Sequence, residues 1–516
     1  MWMQLSEMEI SDYVELIKNH INEILRENLY ELNLDERELK RLSAQKKLLR
    51  ENLSKCGIGD DSAKKYVIDF IFESLLKLLE LNENNIDETF IFREKYYFDK
   101  LLFLLKREHG KDAFNVMVDR NGFLSDGKNF ISEEEMEEAF KRAGVYFTFP
   151  EKMLLLSTKV YAYFKGLGVI DELRDMNIDG VSGGVSGDNG GFKSAWIFYK
   201  GRSVSLRFLD FESESELERI CRNLIRFNQP GELSRERGYI VHEMADHSRV
   251  VVARPDFAES WMFFIRKLGQ SGKHDLKSLF TEEGANRLTA FMSFMMKGCQ
   301  VTGITGMQGC GKTTLLMALI ECIPKEYTLR VLEMAFELHL RKWYPDRNIV
   351  TFRETDEIGG FEGLEVQKKT DGAVSIIGEV ASQRVAAWMV ESGQTGSLFT
   401  LFTHHAKNTK ALVLSLRNAL LSAGSFSNEK VAAEQVVDVV SFDIHLHLDR
   451  KGNRYIERIT EIVESPDSGM CFKTNDLFSY EDGRYVQVGK LSEERKKAMA
   501  KWMTKEEREE FYALDF

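Results

Sequence analysis

Residues 306–313 read Gly-Met-Gln-Gly-Cys-Gly-Lys-Thr and fit the spacing G-x-x-x-x-G-K-[ST]. That spacing serves phosphate binding. Gly306, Gly309 and Gly311 let successive backbone N–H groups turn inward, so that Met307, Gln308 and Cys310 line a cradle for phosphate oxygens. Lys312 brings a point charge to the outer phosphates, the Thr313 hydroxyl can hold Mg²⁺, and Thr314 belongs to the same binding set, at the start of a helix whose N-terminal end favours an anion. The context fits on both sides: an apolar strand is expected over 300–305 and an apolar helix over 313–323.

A cradle only binds; hydrolysis also needs a group that positions water and a partner for the metal. The strand expected over 373–377 runs into Gly378-Glu379. An acid at the C-terminal end of a buried strand, beside a phosphate-loop strand, stands where nucleotide chemistry occurs in such sheets. Glu379 is therefore the candidate for polarising the attacking water. The strand over 329–333 ends in Glu333, with Glu337 four residues on, and either could stand near Mg²⁺. His404-His405 closes another strand; adjacent strand residues face opposite sides, so only one of the two can face a given site. His445 and His447 share a strand face, but no third metal ligand accompanies them.

These groups need elements to hold them. After about residue 276 the chain alternates strands (300–305, 329–333, 349–352, 373–377, 398–403, 439–448, 455–463) with helices (313–323, 383–391, 409–421), which predicts a mostly parallel sheet wrapped by helices. Residues 1–148 read as helices, with a capping box at Ser132 and Glu135. Residues 149–268 read as α+β, with strands at 195–200, 204–208, 239–244, 249–253 and 261–266; the glycine-rich stretch 180–191 reads as a flexible loop. A hinge is expected at 269–275, and the last segment, 467–516, ends in a charged helix expected to be solvated. The 516 residues carry 70 Lys+Arg and 82 Asp+Glu, a formal charge of −12, which disfavours broad nucleic-acid binding while leaving room for a local basic patch. Six cysteines without C-x-x-C spacing fit a reducing compartment. No apolar run is long enough to span a membrane, and no leader peptide is apparent, so a cytoplasmic protein is expected.

The phosphate loop, the Glu333 strand, Gly378-Glu379 and 403–406 occur in an order that resembles the traffic ATPases of type II and type IV secretion and of tight-adherence pili. The likeness extends upstream. Phe164-Lys-Gly-Leu-Gly-Val-Ile-Asp-Glu-Leu resembles the family's "G-x-G-pro-leu-glu" segment. Asp246-His-Ser-Arg249 with Ala253-Arg254-Pro255 resembles its "DGSR…RP", Phe264-Ile-Arg266-Lys267 its "IRK" strand, and 439–463 its closing strand pair. Residues of about 150–465 are covered. The resemblance implies a RecA-like P-loop ATPase domain (276–466), preceded by an α+β N-terminal domain and assembled as a homo-hexamer. It implies ATP and Mg²⁺ as cofactors, and Arg249, Arg254 and Arg266 as arginines that approach the phosphates. Glu333 would match the family's aspartate box and His405 its histidine box. The partner implied is an inner-membrane platform protein of a secretion or pilus machine, reached from the cytoplasmic side.

The chain departs from that pattern in places. Met334 follows Glu333 where the family has Asp, and Ala381 stands where an arginine usually follows the Gly-Glu pair. The stretch to the histidine differs in length, and His405 is preferred over Phe402 because 403–406 restores "T-x-H-A". These departures keep a rival open, a nucleotide-gated binding module with little hydrolysis. A DNA-transfer ATPase is a further alternative, weakened by the acidic charge.

Overall fold

The computed structural model describes residues 4–29, 35–94, 96–144, 146–185, 195–226, 233–244, 246, 248–267, 275–334, 336–355, 358–450, 452–465 and 471–516. The chain divides into two compact units, Met1–Leu268 and Gly269–Phe516. Most of the expected hinge at 269–275 lies outside the described residues, as does His247.

The first unit opens with helices α1 (Ile10–Arg26), α2 (Glu36–Cys56) and α3 (Asp61–Leu78). Tyr13, Ile17, Val67, Ile71 and Leu75 recur at helical spacing and pack with Leu156 and Val160 of the helix Phe149–Phe164 into one core. The capping box is present: the Ser132 N–H donates to Glu135 Oε2 at 2.9 Å, and Ser132 Oγ accepts from the Glu135 N–H at 3.4 Å.

A second core lies against a seven-stranded sheet. Its strands are β1 (Phe130–Ile131), β2 (Gly180–Gly183), β3 (Ala195–Tyr199), β4 (Arg202–Leu206), β5 (Tyr239–Glu243), β6 (Arg249–Ala253) and β7 (Met262–Arg266), in the order β1-β4-β3-β2-β7-β6-β5. Phe98, Phe114, Met117 and Met136 belong to this core. Residues 97–143, expected with the helical extension, thus share a core with the α+β segment and contribute β1 to its sheet. Hydrophobic burial divides the unit differently from the expected boundary at 148/149.

One expectation is corrected here. Residues 180–183 are not loop but β2, a buried central strand. Glycine is needed there for close approach: a Cβ on Gly180 would collide with the Ile265 carbonyl, and one on Gly183 would lie 2.6 Å from the Phe211 ring. Residues 186–191 of the same stretch lie outside the described residues.

The second unit carries a nine-stranded mixed sheet. Its strands are β8 (Thr302–Gly306), β9 (Leu329–Glu333), β10 (Ile349–Arg353), β11 (Val374–Ile377), β12 (Phe399–His404), β13 (Phe442–Leu448), β14 (Arg454–Glu464), β15 (Phe472–Glu481) and β16 (Arg484–Gln487). The order is β10-β9-β11-β12-β8-β13-β14-β15-β16, parallel from β10 to β13 and antiparallel beyond. The sheet therefore runs past the expected limit at 466.

The end of the chain also differs from expectation. It forms two helices, Glu493–Ala500 and Lys505–Ala513, and these are not a solvated appendage. Met499, Phe511 and Phe516 are buried, with the Phe516 ring 5.0 Å from Phe291 and the Phe511 ring 5.2 Å from Phe294. High charge hid these few large apolar side chains. Among the described residues, no helix is long and apolar enough to cross a membrane.

Candidate nucleotide site

The phosphate-loop strand β8 is buried along its whole length in the interior of the sheet. Its neighbours press close, since a Cβ on Gly303 would lie 2.9 Å from the Phe402 ring. At the strand's last residue, Gly306, and beyond it at Gly309 and Gly311, φ takes values of +139°, +79° and +98°, a backbone that L side chains rarely adopt. Gly306 leaves no room for a Cβ, which would collide with the Leu446 carbonyl, whereas Gly309 opens onto free space. Cys310 is buried and Met307 exposed. The helix Lys312–Glu321 follows, with Gly311 as its N-cap and Leu315, Leu316, Leu319 and Ile320 buried. Its first N–H groups, those of Lys312, Thr313 and Thr314, precede the first i→i−4 bond and lie at the positive end of the helix. The loop thus combines positive-φ glycines with a helix N-terminus, and backbone N–H donors of that kind suit phosphate oxygens. Thr313 is half-buried in the first turn, where a hydroxyl can serve a phosphate-bound Mg²⁺.

Lys312 is 9% exposed, and its Nζ donates to the carbonyls of Gly306 at 3.0 Å and Met307 at 2.9 Å. The same Nζ lies 3.4 Å from His405 Nδ1, and His405 Nε2 lies 3.2 Å from Glu379 Oε1. With Lys312 donating to Nδ1, the ring proton sits on Nε2 and is donated to Glu379. Three residues 67 or more positions apart in pairs from Lys312 to Glu379 or His405 thus form one chain of contacts, and His405 and Glu379 remain half open to solvent, at 48% and 40%.

The sheet order corrects one premise. Glu379 follows β11, which is not beside the phosphate-loop strand; β12 lies between them. His405, at the end of β12, is what bridges the gap. The loop after β11 is fastened to β12: Thr403 Oγ1 donates to the Gly378 carbonyl at 2.5 Å, and the Val380 N–H donates to the Thr403 carbonyl at 2.9 Å. His404 is part of this fastening, with Nδ1 3.0 Å from the Val380 carbonyl and Nε2 3.0 Å from Ser415 Oγ. Burial pushes its pKa down. Of the two histidines, His404 holds structure and His405 faces Lys312.

Glu333 is buried at the end of β9, one strand beyond β11. Its Oε1 accepts from the N–H groups of Glu337 at 2.9 Å and Leu338 at 2.8 Å, closing the turn that follows the strand. Met334, beside it, is exposed. Among the described residues, no group of three or more His, Cys, Asp or Glu could hold a metal ion by itself.

Arg249, Arg254 and Arg266 lie in the first unit. Arg249 on β6 and Arg266 on β7 are direct register partners. Arg254 follows the opposite end of β6 and donates from Nε to the Pro255 carbonyl at 3.3 Å. It is five positions along extended chain from Arg249, about 16 Å at strand rise. The structure brings two of the three arginines together and not the third.

Sequence reading missed the layer under the cradle. Asp443 on β13 is fully buried, and its two oxygens accept from Thr305 Oγ1 at 2.5 Å and Thr409 Oγ1 at 2.7 Å. Thr305, the residue before Gly306, also lies 2.8 Å from His445 Nδ1. Burial raises the Asp443 pKa, while burial and then the Arg458 charge lower that of His445 to about 4. An acid near the start of a strand that alternates polar and apolar residues was the available signal. Arg454 on β14 was missed too: its Cδ lies 3.7 Å from where a Cβ on Gly311 would be. The His447 ring lies tilted against that of Tyr455, 5.3 Å between centroids.

No known sequence family and no curated protein matches the chain. Solved structures do. The VirB11 ATPase of the Brucella suis type IV secretion system, in complex with sulphate, matches at 17% identity and a TM-score of 0.31, over 55% of this chain and 89% of that one. The Legionella pneumophila ATPase DotB matches at 14% identity and 0.42, over 67% and 85%. The pilus retraction motor PilT with bound ADP matches at 12% identity and 0.39, over 67% and 88%. At these scores the likeness is loose, and what the site can do follows from its own residues.

Proposed function

We propose that this chain is a Mg²⁺-dependent ATPase that works as a motor in protein secretion or pilus assembly. The observation that carries the reading is the convergence of Lys312, His405 and Glu379 from three neighbouring strands beside a glycine cradle. A cradle without an acid binds nucleotide; a carboxylate one imidazole away from the phosphate lysine adds a group that can polarise water at the terminal phosphate. In this reading the loop amides and Lys312 hold the phosphates of ATP. Thr313 holds Mg²⁺, whose charge offsets that on the phosphate oxygens, and Glu379 orients the water. Lys312 exchanges neutral carbonyl acceptors for anionic phosphate oxygens, so that both partners of the bond are charged. His405 then loses its donor at Nδ1, which links its hold on Glu379 to occupancy of the cradle.

Arg249 stands in register between Arg266 of β7 and Glu243 of β5. Phosphate contact, with Arg254 in a separate place, is the role the motif resemblance gives the two arginines. The same resemblance supports an N-terminal α+β domain hinged near 269–275 to a RecA-like ATPase domain. It also supports a homo-hexamer at the cytoplasmic face of the membrane, working on a platform protein.

One observation favours a second reading. Glu333, the expected aspartate-box acid, spends one carboxylate oxygen on the backbone of 337 and 338, which fits a nucleotide-gated binding module with slow turnover. Steady-state ATP hydrolysis with Mg²⁺ decides between the two, beside Lys312→Ala and Glu379→Gln. The motor reading expects turnover in the parent, loss in both variants, and retained ATP binding by Glu379→Gln. Binding without Lys312-dependent turnover in the parent overturns it in favour of the gated module.

A further inference from the structure

In a chain of net charge −12, α2 is a local exception. It carries Arg37, Lys40, Arg41, Lys46, Lys47, Arg50 and Lys55 against Glu36, Glu38 and Glu51, seven cations to three carboxylates. From 40 to 50 there are five cations and no acid. Solvated helix faces ordinarily balance the two signs; here the cations outnumber the acids more than two to one.

The helix is held from behind. Leu49 and Cys56 are its buried residues, and Lys46 Nζ donates to the Glu27 carbonyl at 2.6 Å. At 100° per residue, the outward face presents Arg37, Lys40, Lys47 and Lys55, with Arg41 and Leu48 along one edge and Glu36 and Glu51 as its two acids. Lys40 and Lys47 have side chains 76% and 80% exposed, and their pairings with Glu36 at 2.6 Å and Glu51 at 3.9 Å are solvent contacts of little strength. Leu48 is 46% exposed, and Ile58, just past the helix, 42%. Beside this face, where α1 ends, is a hollow of about 490 Å³ lined among others by Ser43, Lys46, Lys47 and Arg50, with Glu27 and Glu51 at the same wall.

We infer that the outer face of α2 is a docking surface for anionic lipid headgroups. Three features favour a lipid surface over an acidic peptide. Five of the seven cations run along the outward side of a helix about 31 Å long, which suits a plane. An exposed leucine sits among them, as in helices that lie at the headgroup boundary. The hollow offers a phosphate a place among three cations. The surface lies in the first unit and does not depend on the ATPase reading.

The test is flotation of the full chain with vesicles of phosphatidylcholine alone and of phosphatidylcholine mixed with phosphatidylglycerol, at low and high salt. The comparison is Lys40→Glu, Arg41→Glu, Lys47→Glu and Arg50→Glu combined, with circular dichroism and nucleotide binding as controls on folding. Each cation near an anionic surface is worth roughly a factor of five in binding. The parent is expected to float only with the anionic vesicles and to be released by salt, and the combined variant to stay unbound while keeping its fold. Equal binding to both vesicles, or undiminished binding by the folded variant, overturns the proposal. So does capture by duplex DNA or polyglutamate without capture by anionic vesicles, which makes the face a site for an acidic macromolecule instead.

Discussion

Replacing Lys64 with Met should break the charge cluster that ties α3 to the segment 171–175. Lys64 Nζ lies 2.7 Å from Asp171, 3.1 Å from Glu172 and 3.0 Å from Asp175, and its side chain is 18% exposed. Lys106 also pairs with Glu172, and Arg174 with Asp175 at 3.3 Å, so the variant leaves the carboxylates partly compensated. Removing one partner of a buried charge cluster costs about 3–5 kcal/mol; partial compensation sets the expectation near the lower figure. Amide hydrogen exchange of α3 in the full chain reads it locally, and about 3 kcal/mol corresponds to roughly a 150-fold fall in protection. Acid supplies the sign. Burial alone would raise the Glu172 and Asp175 pKa values, but Lys64 first, then Lys106 and Arg174 respectively, bring both below their usual range. That stabilisation is present at neutral pH and is lost as pH falls through the depressed folded-state values. Without Lys64 the burial effect prevails and the carboxylates protonate more readily, so the gap between parent and variant should narrow on acidification from pH 7. A fall in protection below about five-fold at neutral pH, or a gap that widens in acid, would refute the reasoning.

The two adjacent histidines should separate cleanly. His404→Ala loses contacts to Val380 and Ser415 and should lower thermal stability by about 1–3 kcal/mol, whereas His405→Ala should leave the melting temperature unchanged and lower kcat for ATP. His445, 6% exposed with a pKa near 4 against an ordinary 6.5, must gain a proton on unfolding in mild acid. Stability should therefore fall between pH 6.5 and pH 4 by about 3 kcal/mol, and His445→Gln should flatten that part of the urea-denaturation profile. Phe511→Ala removes a buried ring that touches Phe294 and Phe516, and should cost about 3–5 kcal/mol in urea titrations of the full chain.

What was legible in the sequence was local. The phosphate loop carries its own geometry in three glycines, and the strands around it announce themselves as short apolar runs: the strand expected over 329–333 is β9, residue for residue. Strand order is a long-range property, and no local signal places β12 between β11 and β8. For that reason Glu379 read as adjacent to the cradle, when His405 is what brings it within reach. Glycines misled where they serve packing: the same residue type means a positive-φ turn at Gly309 and a crowded central strand at Gly180. Composition misled at the C-terminal end, where Met499, Phe511 and Phe516 anchor helices that are otherwise almost all charge. Asp443 shows the remaining gap. A carboxylate in a strand is visible in a sequence, but its purpose depends on which hydroxyls the fold sets opposite it. Here those are Thr305, directly before the first glycine of the cradle, and Thr409, at the start of the helix after β12. Asp443 thereby joins the strand that leads into the phosphate loop to the helix that follows His405, so the segments carrying Lys312 and His405 share one buried support.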